Sequence, residues 1–129
     1  MSFDLSAAIA GRAMMHAENC YDIEHVEITS QMYKTHTPSN TAFRGFGGPQ
    51  GMLGMERIID DIAAYLKTDP LRIRQKNYYA DKEQEHTNQL TPYHQPVTDC
   101  IIGALTDQLV KTSDYHARRA QIEDYNHAS

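Results

Sequence analysis

The residues most capable of chemistry lie in a glycine-rich stretch, TPSNTAFRGFGGPQG, at positions 37–51. This stretch presents Phe43, Arg44 and Phe46 among its glycines. Glycines let a backbone approach a bound group closely, and an aromatic ring beside them offers a flat face to a planar ligand. A helical pattern follows at once, so we expect free N–H groups at the helix start to face an anion or an oxo group.

The loop does not match either of two phosphate-binding motifs. The run from Gly45 to Pro49 leads to Gln50, where a dinucleotide fingerprint needs a third glycine, and the GK[ST] of a Walker A loop is missing. A purely structural interpretation also fits, in which Gly47 and its neighbouring glycines only supply the permissive backbone of a tight turn. The residues alone leave open whether the loop binds a planar ligand or simply turns the chain.

Other catalytic and metal-binding patterns are weak. The chain has 7 histidines, but no pair of them shows HExxH spacing and neither cysteine belongs to a CxxC. A GxSxG nucleophile elbow is also missing. Asp60 and Asp61 are adjacent on a predicted helix, so their side chains diverge and cannot share a substrate. These patterns favour solvated or hydrogen-bonded histidines over a metal site built from side chains.

Composition narrows the class of protein. With 129 residues the chain is long enough for one modest domain, and 12 basic against 17 acidic residues give a net charge of -5. A nucleic-acid partner is not expected because no basic face is visible. No signal peptide and no apolar run of membrane-spanning length appear, so we expect no membrane partner. Cys20 and Cys100 lie far apart, which fits a reduced, cytoplasmic setting.

Periodicity predicts the elements that position the loop. Helical spacing predicts a helix at 4–19 that carries Arg12, and period-two alternation predicts a strand at 24–36. The loop at 37–51 then leads into an amphipathic helix at 49–66. Further helices are predicted at 70–78, 96–111 and 113–126. The fold class is therefore α+β, mostly helical with one clear strand.

Start signals refine these bounds. Pro49 suits the first turn of its helix, Asp69 is the expected N-cap before Pro70, and Ser113 is the expected cap of the last helix. Either Ser2 or Asp4 is expected to cap the first helix. The clearest apolar stripe runs along the helix at 49–66 and consists of Met52, Met55, Ile59, Ile62 and Leu66.

The single strand has no ladder partner within the predicted elements. Strand N–H and C=O groups need such partners, and lone strands are not stable. We therefore expect the strand at 24–36 to pair with chain outside this sequence, which indicates a fragment of a larger protein.

Four segments resemble one family. SNTAFRGFGGPQG resembles the molybdenum-site loop of the xanthine oxidase/aldehyde oxidase family of molybdenum hydroxylases. DLSAAIAGRAMMHAENCY resembles the helix before that loop in the purine-oxidising members, and RQKNYY and SDYHARRAQIEDYN are similar to later helical segments. The resemblance covers almost the whole chain and implies that residues 1–129 are a partial molybdopterin-binding domain, a slice of the family's molybdenum-cofactor-binding fold.

The resemblance implies an activity and its cofactors. Such enzymes insert a water-derived oxygen at an electron-poor carbon of a purine, oxidising hypoxanthine and xanthine to urate. Molybdopterin holds the molybdenum, so no histidine or cysteine ligand is expected. Electrons leave through 2Fe-2S clusters and FAD to NAD. Two alternatives stay open: a related hydroxylase of another N-heterocycle or an aldehyde, and a non-catalytic remnant or interaction module.

The same resemblance implies roles for particular residues. Arg12 resembles the catalytic arginine that binds a purine oxo group and stabilises charge developing on the ring, which favours a purine over an aldehyde. A helix-end cation that serves only the helix dipole is the structural alternative for Arg12. Phe46 resembles the ring that stacks on the substrate, and the backbone of Arg44 is implied to lie near molybdenum. The implied cofactor-binding residues are Phe43, Arg44, Gly45 and Gly47.

Partners follow from what the chain lacks. The family's two molybdenum-site glutamates, its iron–sulfur domains and its FAD domain have no counterpart in this sequence. The implied partners are a purine substrate, the remaining segments of the molybdenum subunit and the iron–sulfur/FAD subunit. The complete enzyme is expected to be a dimer of catalytic units, and the chain alone is expected to be inert.

Overall fold

The fold is mostly helical, as the sequence predicts. The computed structural model describes residues 5–38, 42–81 and 89–128. Within them, no helix is long and apolar enough to cross a membrane. The helices of the described residues are α1 (Ser6–Met14), α2 (Gly48–Tyr65), α3 (Pro70–Asn77), α4 (Ile102–Thr112) and α5 (Tyr115–Ala128).

The core is small and lies where α2 meets the segments that follow α1 and α3. Ile59 and Ala63 of α2 are buried there together with Tyr21 and Tyr79. The Tyr21 ring stacks on Tyr78, with ring centroids 5.8 Å apart and planes 9° from parallel. An antiparallel bridge joins the same two tyrosines. The chain after α1 is therefore fastened to the chain after α3.

The strand predicted at 24–36 is not confirmed. The bridges found in residues 5–38, 42–81 and 89–128 join Tyr21 to Tyr78 and Leu90 to Pro96, and neither involves this segment. Val26 and Met32, two apolar residues of this segment, are 39% and 45% exposed. Alternation of residue types needs a neighbouring strand to become a ladder, and the described residues supply none.

The first helix is shorter than the predicted 4–19. It ends at Met14, and the chain continues in tight turns in which Ala17 N–H donates to Met14 O at 3.3 Å and Asn19 N–H donates to His16 O at 3.2 Å. Asn19 then takes a left-handed φ of 56°, a conformation that asparagine tolerates better than most residues. The expected caps, Ser2 and Asp4, lie outside the described residues.

The buried side of α2 only partly matches the predicted apolar stripe. Ile59 is buried as expected, but Ile62 and Leu66 are 41% and 56% exposed. The buried side of the helix instead contains Ala63, which is fully buried, and Glu56, which is partly buried. Periodicity identified the helix correctly, yet apolar type alone did not identify the side that faces the core.

Helix starts are only partly confirmed. Asp69 caps α3 as predicted, since its Oδ1 accepts from Leu71 N–H at 2.8 Å. Pro96 does not open a helix: it bridges Leu90, and α4 begins only at Ile102. Ser113 does not cap α5, because its hydroxyl donates to Leu109 O at 2.7 Å and so closes α4.

Candidate functional site

The glycine loop takes an unusual backbone path. Gly45, Phe46 and Gly47 have consecutive positive φ angles of 89°, 52° and 102°. Phe46 N–H donates to Phe43 O at 2.8 Å, which tightens the turn. A left-handed conformation costs a residue with a Cβ about 1–2 kcal/mol, so surrounding contacts must hold Phe46 in place. Backbone of this kind is concentrated at ligand-binding sites.

The glycines also bring the loop and α2 against the backbone of α1. A Cβ added at Gly47 would lie 2.1 Å from Ile9 O, and one added at Gly51 would lie 2.2 Å from Ala13 O. A Cβ at Gly48 would lie 3.2 Å from the His16 ring. Any side chain at the first two positions would force the two elements apart. The glycines therefore serve close packing as well as the turn.

This packing brings two of the predicted site residues onto adjoining elements. Arg12 lies in the last turn of α1, between the contacts that Ile9 and Ala13 make with the loop and α2. Phe46 directly precedes Gly47, which contacts Ile9. Arg12 is exposed and Phe46 is partly buried. The structure thus places a cation and an aromatic ring beside one helix–loop contact.

Three of the four remaining predicted residues are exposed on the loop. Phe43 is 78% exposed, and Arg44 and Gly45 are also exposed. Gly47 is buried against α1. The loop therefore presents three cofactor-binding candidates to its surroundings and uses Gly47 for packing.

The amide donors are not where the sequence suggested. Gly48 N–H donates to Gly45 O at 3.1 Å, and the N–H groups of Gln50 and Gly51 both donate to Gly47 O at 3.2 Å. The expectation that the start of α2 offers free donors is therefore not met at Gly48, Gln50 or Gly51. By contrast, no acceptor among the described residues takes the backbone N–H of Gly45 or Gly47. The available donors lie in the loop itself.

A partly buried charge cluster, which we call the Glu56 clamp, is centred on α2 and α3. Asn19 Nδ2 and the Tyr21 hydroxyl donate to Glu56 Oε1 at 2.8 and 2.6 Å. Arg74 Nε donates to Glu56 Oε2 at 2.8 Å, and its Nη2 lies 2.9 Å from Asp60 Oδ1. One carboxylate therefore ties the chain after α1 to α2 and α3.

The clamp is partly shielded from water. The side chains of Arg74 and Glu56 are 22% and 32% exposed. Burial alone would lower the pKa of Arg74, but hydrogen bonds to Glu56 and Asp60 outweigh it and raise that pKa above its usual value. Burial and the hydrogen bond to Glu56 also raise the pKa of Tyr21. The guanidinium stays charged and the phenol stays neutral at physiological pH.

Sequence reasoning missed the Glu56 clamp. A signal was available, because Glu56 lies three residues before Ile59 on the same side of α2. A single acidic residue on the buried side of a helix needs a partner. The partner, Arg74, could not be chosen from the sequence, since α3 carries more than one cation and only the turn after α2 determines which one reaches Glu56.

No metal cluster is present in the described residues. These residues contain no group of three or more histidine, cysteine, aspartate or glutamate side chains that could hold a metal ion. Cys20 and Cys100 are free thiols, and burial raises the pKa of Cys20.

The region that carries this geometry coincides with a known domain family. Residues 1–78, which are more than half of the chain, match the molybdopterin cofactor-binding domain. The matched range contains α1, the glycine loop, α2 and α3. The chain belongs to the molybdopterin cofactor-binding domain family.

Comparison with individual proteins is more specific. The chain is 45% identical over 125 residues to a xanthine dehydrogenase of Drosophila subobscura. It is 36% identical to a xanthine dehydrogenase/oxidase of Felis catus and 38% identical to xanthine dehydrogenase 1 of Arabidopsis thaliana, over 125 residues in each case. These matches cover 97% of this chain but only 9% of each relative. The family resemblance expected from the glycine loop is confirmed.

Proposed function

We propose that this chain contributes the substrate-binding side of a molybdenum hydroxylase that oxidises hypoxanthine and xanthine to urate. The observation that supports this best is the packing of α1, with Arg12, against the loop that carries Phe46, through Gly47 and Gly51. The names of the relatives support the substrate class, because they are xanthine dehydrogenases that share at least 36% of their residues with this chain over 125 positions.

Phe46 supplies a flat face for a purine. Its backbone is held at a φ of 52° between two glycines, so the ring direction is set by the loop rather than by a flexible segment. Offset stacking of aromatic rings contributes about 0.5–1.5 kcal/mol beyond area burial. Because the ring meets substrate before and during reaction, we expect it to lower KM rather than to raise kcat.

Arg12 binds an oxo group on the purine and stabilises negative charge that develops on the ring. It is exposed and lies next to the contact between α1 and the loop, so its guanidinium is available to a ligand held on Phe46. A fixed donor of this kind acts most strongly where charge appears during reaction. Arg12 therefore contributes to kcat and to the preference for purines over aldehydes.

The loop residues fit a molybdenum–molybdopterin group. Gly45 and Gly47 lack a Cβ and have backbone N–H groups with no acceptor among the described residues, so the loop can approach and donate to oxygen atoms of a bound group. Phe43, Arg44, Gly45 and Gly47 would hold the cofactor, with the Arg44 backbone near the metal. When bound, this group supplies the oxygen-transfer and electron-accepting chemistry.

The wider setting belongs to the same proposal. Electrons pass through 2Fe-2S clusters and FAD to NAD in the complete enzyme. The remaining segments of the molybdenum subunit and an iron–sulfur/FAD subunit are its partners, and two catalytic units form a dimer. The protein works in the cytoplasm on a purine substrate.

The first experiment asks whether the assembled enzyme that carries this chain has this activity. We expect molybdenum to co-purify with it and xanthine to be converted to urate. Phe46→Ala should then raise KM about fivefold for both xanthine and an aromatic aldehyde, because it removes a stacking face used by any planar substrate. Steady-state kinetics measure this.

A matched control uses another aromatic residue. Tyr65 lies at the end of α2 and is 87% exposed, so Tyr65→Ala should leave both KM values unchanged. If enzyme loaded with molybdenum makes no urate, or if Phe46→Ala and Tyr65→Ala behave alike, the proposed function fails.

A further inference from the structure

Glu56 connects the chain that follows Arg12 to the helix that follows the loop. It lies on α2, eight residues after the first residue of that helix, Gly48. Its Oε1 accepts hydrogen bonds from Asn19 and Tyr21, both of which follow α1. Its Oε2 accepts from Arg74 of α3. Arg74 therefore fixes the carboxylate through Oε2, and Oε1 in turn holds the chain after α1.

The chain between Arg12 and this anchor has little freedom. Successive short-range hydrogen bonds close it into turns, from Met15 N–H to Gly11 O at 3.1 Å through Tyr21 N–H to Glu18 O at 3.2 Å. Tyr21 is 1% exposed and stacked on Tyr78, so its hydroxyl cannot swing away from Glu56. A shift of Tyr21 is consequently passed to the last turn of α1.

The loop side of α1 is fixed in a different way. The contacts of Gly47 and Gly51 with Ile9 O and Ala13 O set how closely α1 approaches the loop. The hydrogen bonds to Glu56 hold the chain beyond the end of α1, at Asn19 and Tyr21. The two sets of contacts together fix where Arg12 lies along the loop.

We propose that Glu56 is a positioning residue for Arg12, because it holds α1 through Tyr21 and Asn19 at the place where the guanidinium meets the substrate oxo group. This inference rests on the proposed function. Glu56 itself does not touch substrate. Its effect on catalysis passes through Arg12, so removing Arg12 should remove that effect as well.

The change that tests this most gently is Tyr21→Phe. It removes the hydroxyl that donates to Glu56 Oε1 at 2.6 Å and keeps the buried ring. The matched control is Tyr78→Phe, made on the ring stacked against Tyr21, whose hydroxyl accepts from Thr106 Oγ1 at 3.3 Å and does not contact Glu56. Both variants lose one oxygen atom from the same aromatic pair.

The kinetic readout is kcat/KM for xanthine in the assembled enzyme, with Arg12 present and in an Arg12→Met background. With Arg12 present we expect Tyr21→Phe to lower kcat/KM about tenfold, mostly through kcat, since displacements on the order of 1 Å cost up to about 100-fold. In the Arg12→Met background Tyr21→Phe should have less than about a twofold effect, because coupled residues are not additive.

Equal losses in both backgrounds would overturn the inference, and so would an equal loss in Tyr78→Phe. A second readout does not depend on activity. Hydrogen–deuterium exchange at the amides of α1 should be faster in Tyr21→Phe than in the parent protein and unchanged in Tyr78→Phe. Unchanged exchange at α1 in both variants overturns the inference even where the proposed function fails. Failure of the proposed function alone is recognised by the absence of urate formation in the parent enzyme.

Discussion

The α1–α3 region and the α4–α5 region of this chain are held by different kinds of contact. In the first, glycines bring backbone against backbone within a distance that no side chain would fit, and one carboxylate is paired with an arginine that is only 22% exposed. Such contacts tolerate very little change in shape or charge. The proposed site lies entirely in this region.

The α4–α5 region is tethered by scattered hydrogen bonds that involve side chains. Gly103 N–H donates to Asp81 Oδ1 at 3.0 Å, and the Tyr115 hydroxyl donates to Asp69 Oδ1 at 2.7 Å. Large apolar side chains on these helices are more than half exposed, namely Leu105, Leu109, Ile122 and Tyr125. The match to the molybdopterin cofactor-binding domain ends at residue 78, before this region begins.

The difference in contacts indicates that the two regions have different structural roles. A site that must hold a ring and a guanidinium at a fixed distance needs contacts that allow little movement. The close backbone contacts and the Glu56 clamp of the α1–α3 region are of this kind. Helices held by a few scattered hydrogen bonds can shift without disturbing that distance. We therefore expect substitutions in the first region to have large effects and those in the second to have small ones.

The largest effect should come from Gly47→Ala. The new Cβ would lie 2.1 Å from Ile9 O at a φ of 102°, so the chain must both separate α1 from the loop and adopt a strained backbone. We expect a loss of about 3 kcal/mol in the free energy of unfolding. Denaturant unfolding of the chain measures this.

Gly54→Ala is the control for this substitution. Gly54 lies in α2, the helix that Gly47 precedes, and a Cβ added there meets no atom within 4 Å. Because alanine favours helix over glycine, the control should gain up to about 1 kcal/mol. Equal losses at the two positions would contradict the claim that glycine contacts hold α1 against the loop.

A smaller effect is expected at the Glu56 clamp. Arg74→Lys keeps the charge but loses the forked geometry that reaches both Glu56 and Asp60. We expect a loss of about 1–2 kcal/mol, because a partly buried carboxylate would lose a hydrogen-bond donor. The same change in Arg57, whose pair with Asp61 is 76% and 61% exposed, should cost less than about 0.5 kcal/mol. Similar losses in the two variants would show that burial does not strengthen the clamp.

The smallest effect concerns Tyr115, which joins α5 to the start of α3. Burial and the hydrogen bond to Asp69 raise the pKa of Tyr115 from 10.0 to about 12. The neutral phenol makes this contact, so its stabilising contribution is complete below pH 10.0, the ordinary value, and is lost as pH rises through the folded-state pKa.

Tyr115→Phe removes this contribution. At pH 8 it should lower the free energy of unfolding by about 1 kcal/mol. The difference from the parent chain should shrink once the pH passes 10.0 and vanish above the folded-state pKa of about 12. Unfolding at a series of pH values tests this, and a difference that stays constant would show that the hydroxyl contact does not contribute.

The sequence predicted the helices and the loop far better than the contacts between them. Hydrophobic periodicity and the Asp69 cap placed α2 and α3 to within about a residue, because both signals are local. The strand predicted at 24–36 is not found, because alternation of apolar and polar residues does not show that a neighbouring strand is present to pair with it. The helix predicted at 96–111 does not start at Pro96, because the fixed φ of proline suits a turn as well as the start of a helix.

The residues of the candidate site also fall into those that could be predicted from the sequence and those that could not. Arg12 and Phe46 could be named because each lies in a segment that resembles the same family. Glu56 and Arg74 could not be paired, since that pairing depends on how α3 folds back on α2. The role of Gly51 was equally hidden, because only the close approach of α1 shows why a side chain is excluded there.

The account depends most on Arg12 meeting charge that develops on an oxo-bearing purine. The measurement is steady-state kinetics of Arg12→Met in the assembled enzyme, with xanthine and with an aromatic aldehyde. We predict that kcat for xanthine falls about 100-fold with a much smaller rise in KM, while kcat for the aldehyde changes less than about twofold. If xanthine turnover stays intact, or if both substrates lose activity equally, Arg12 is only a helix-end cation and the proposed purine specificity is wrong.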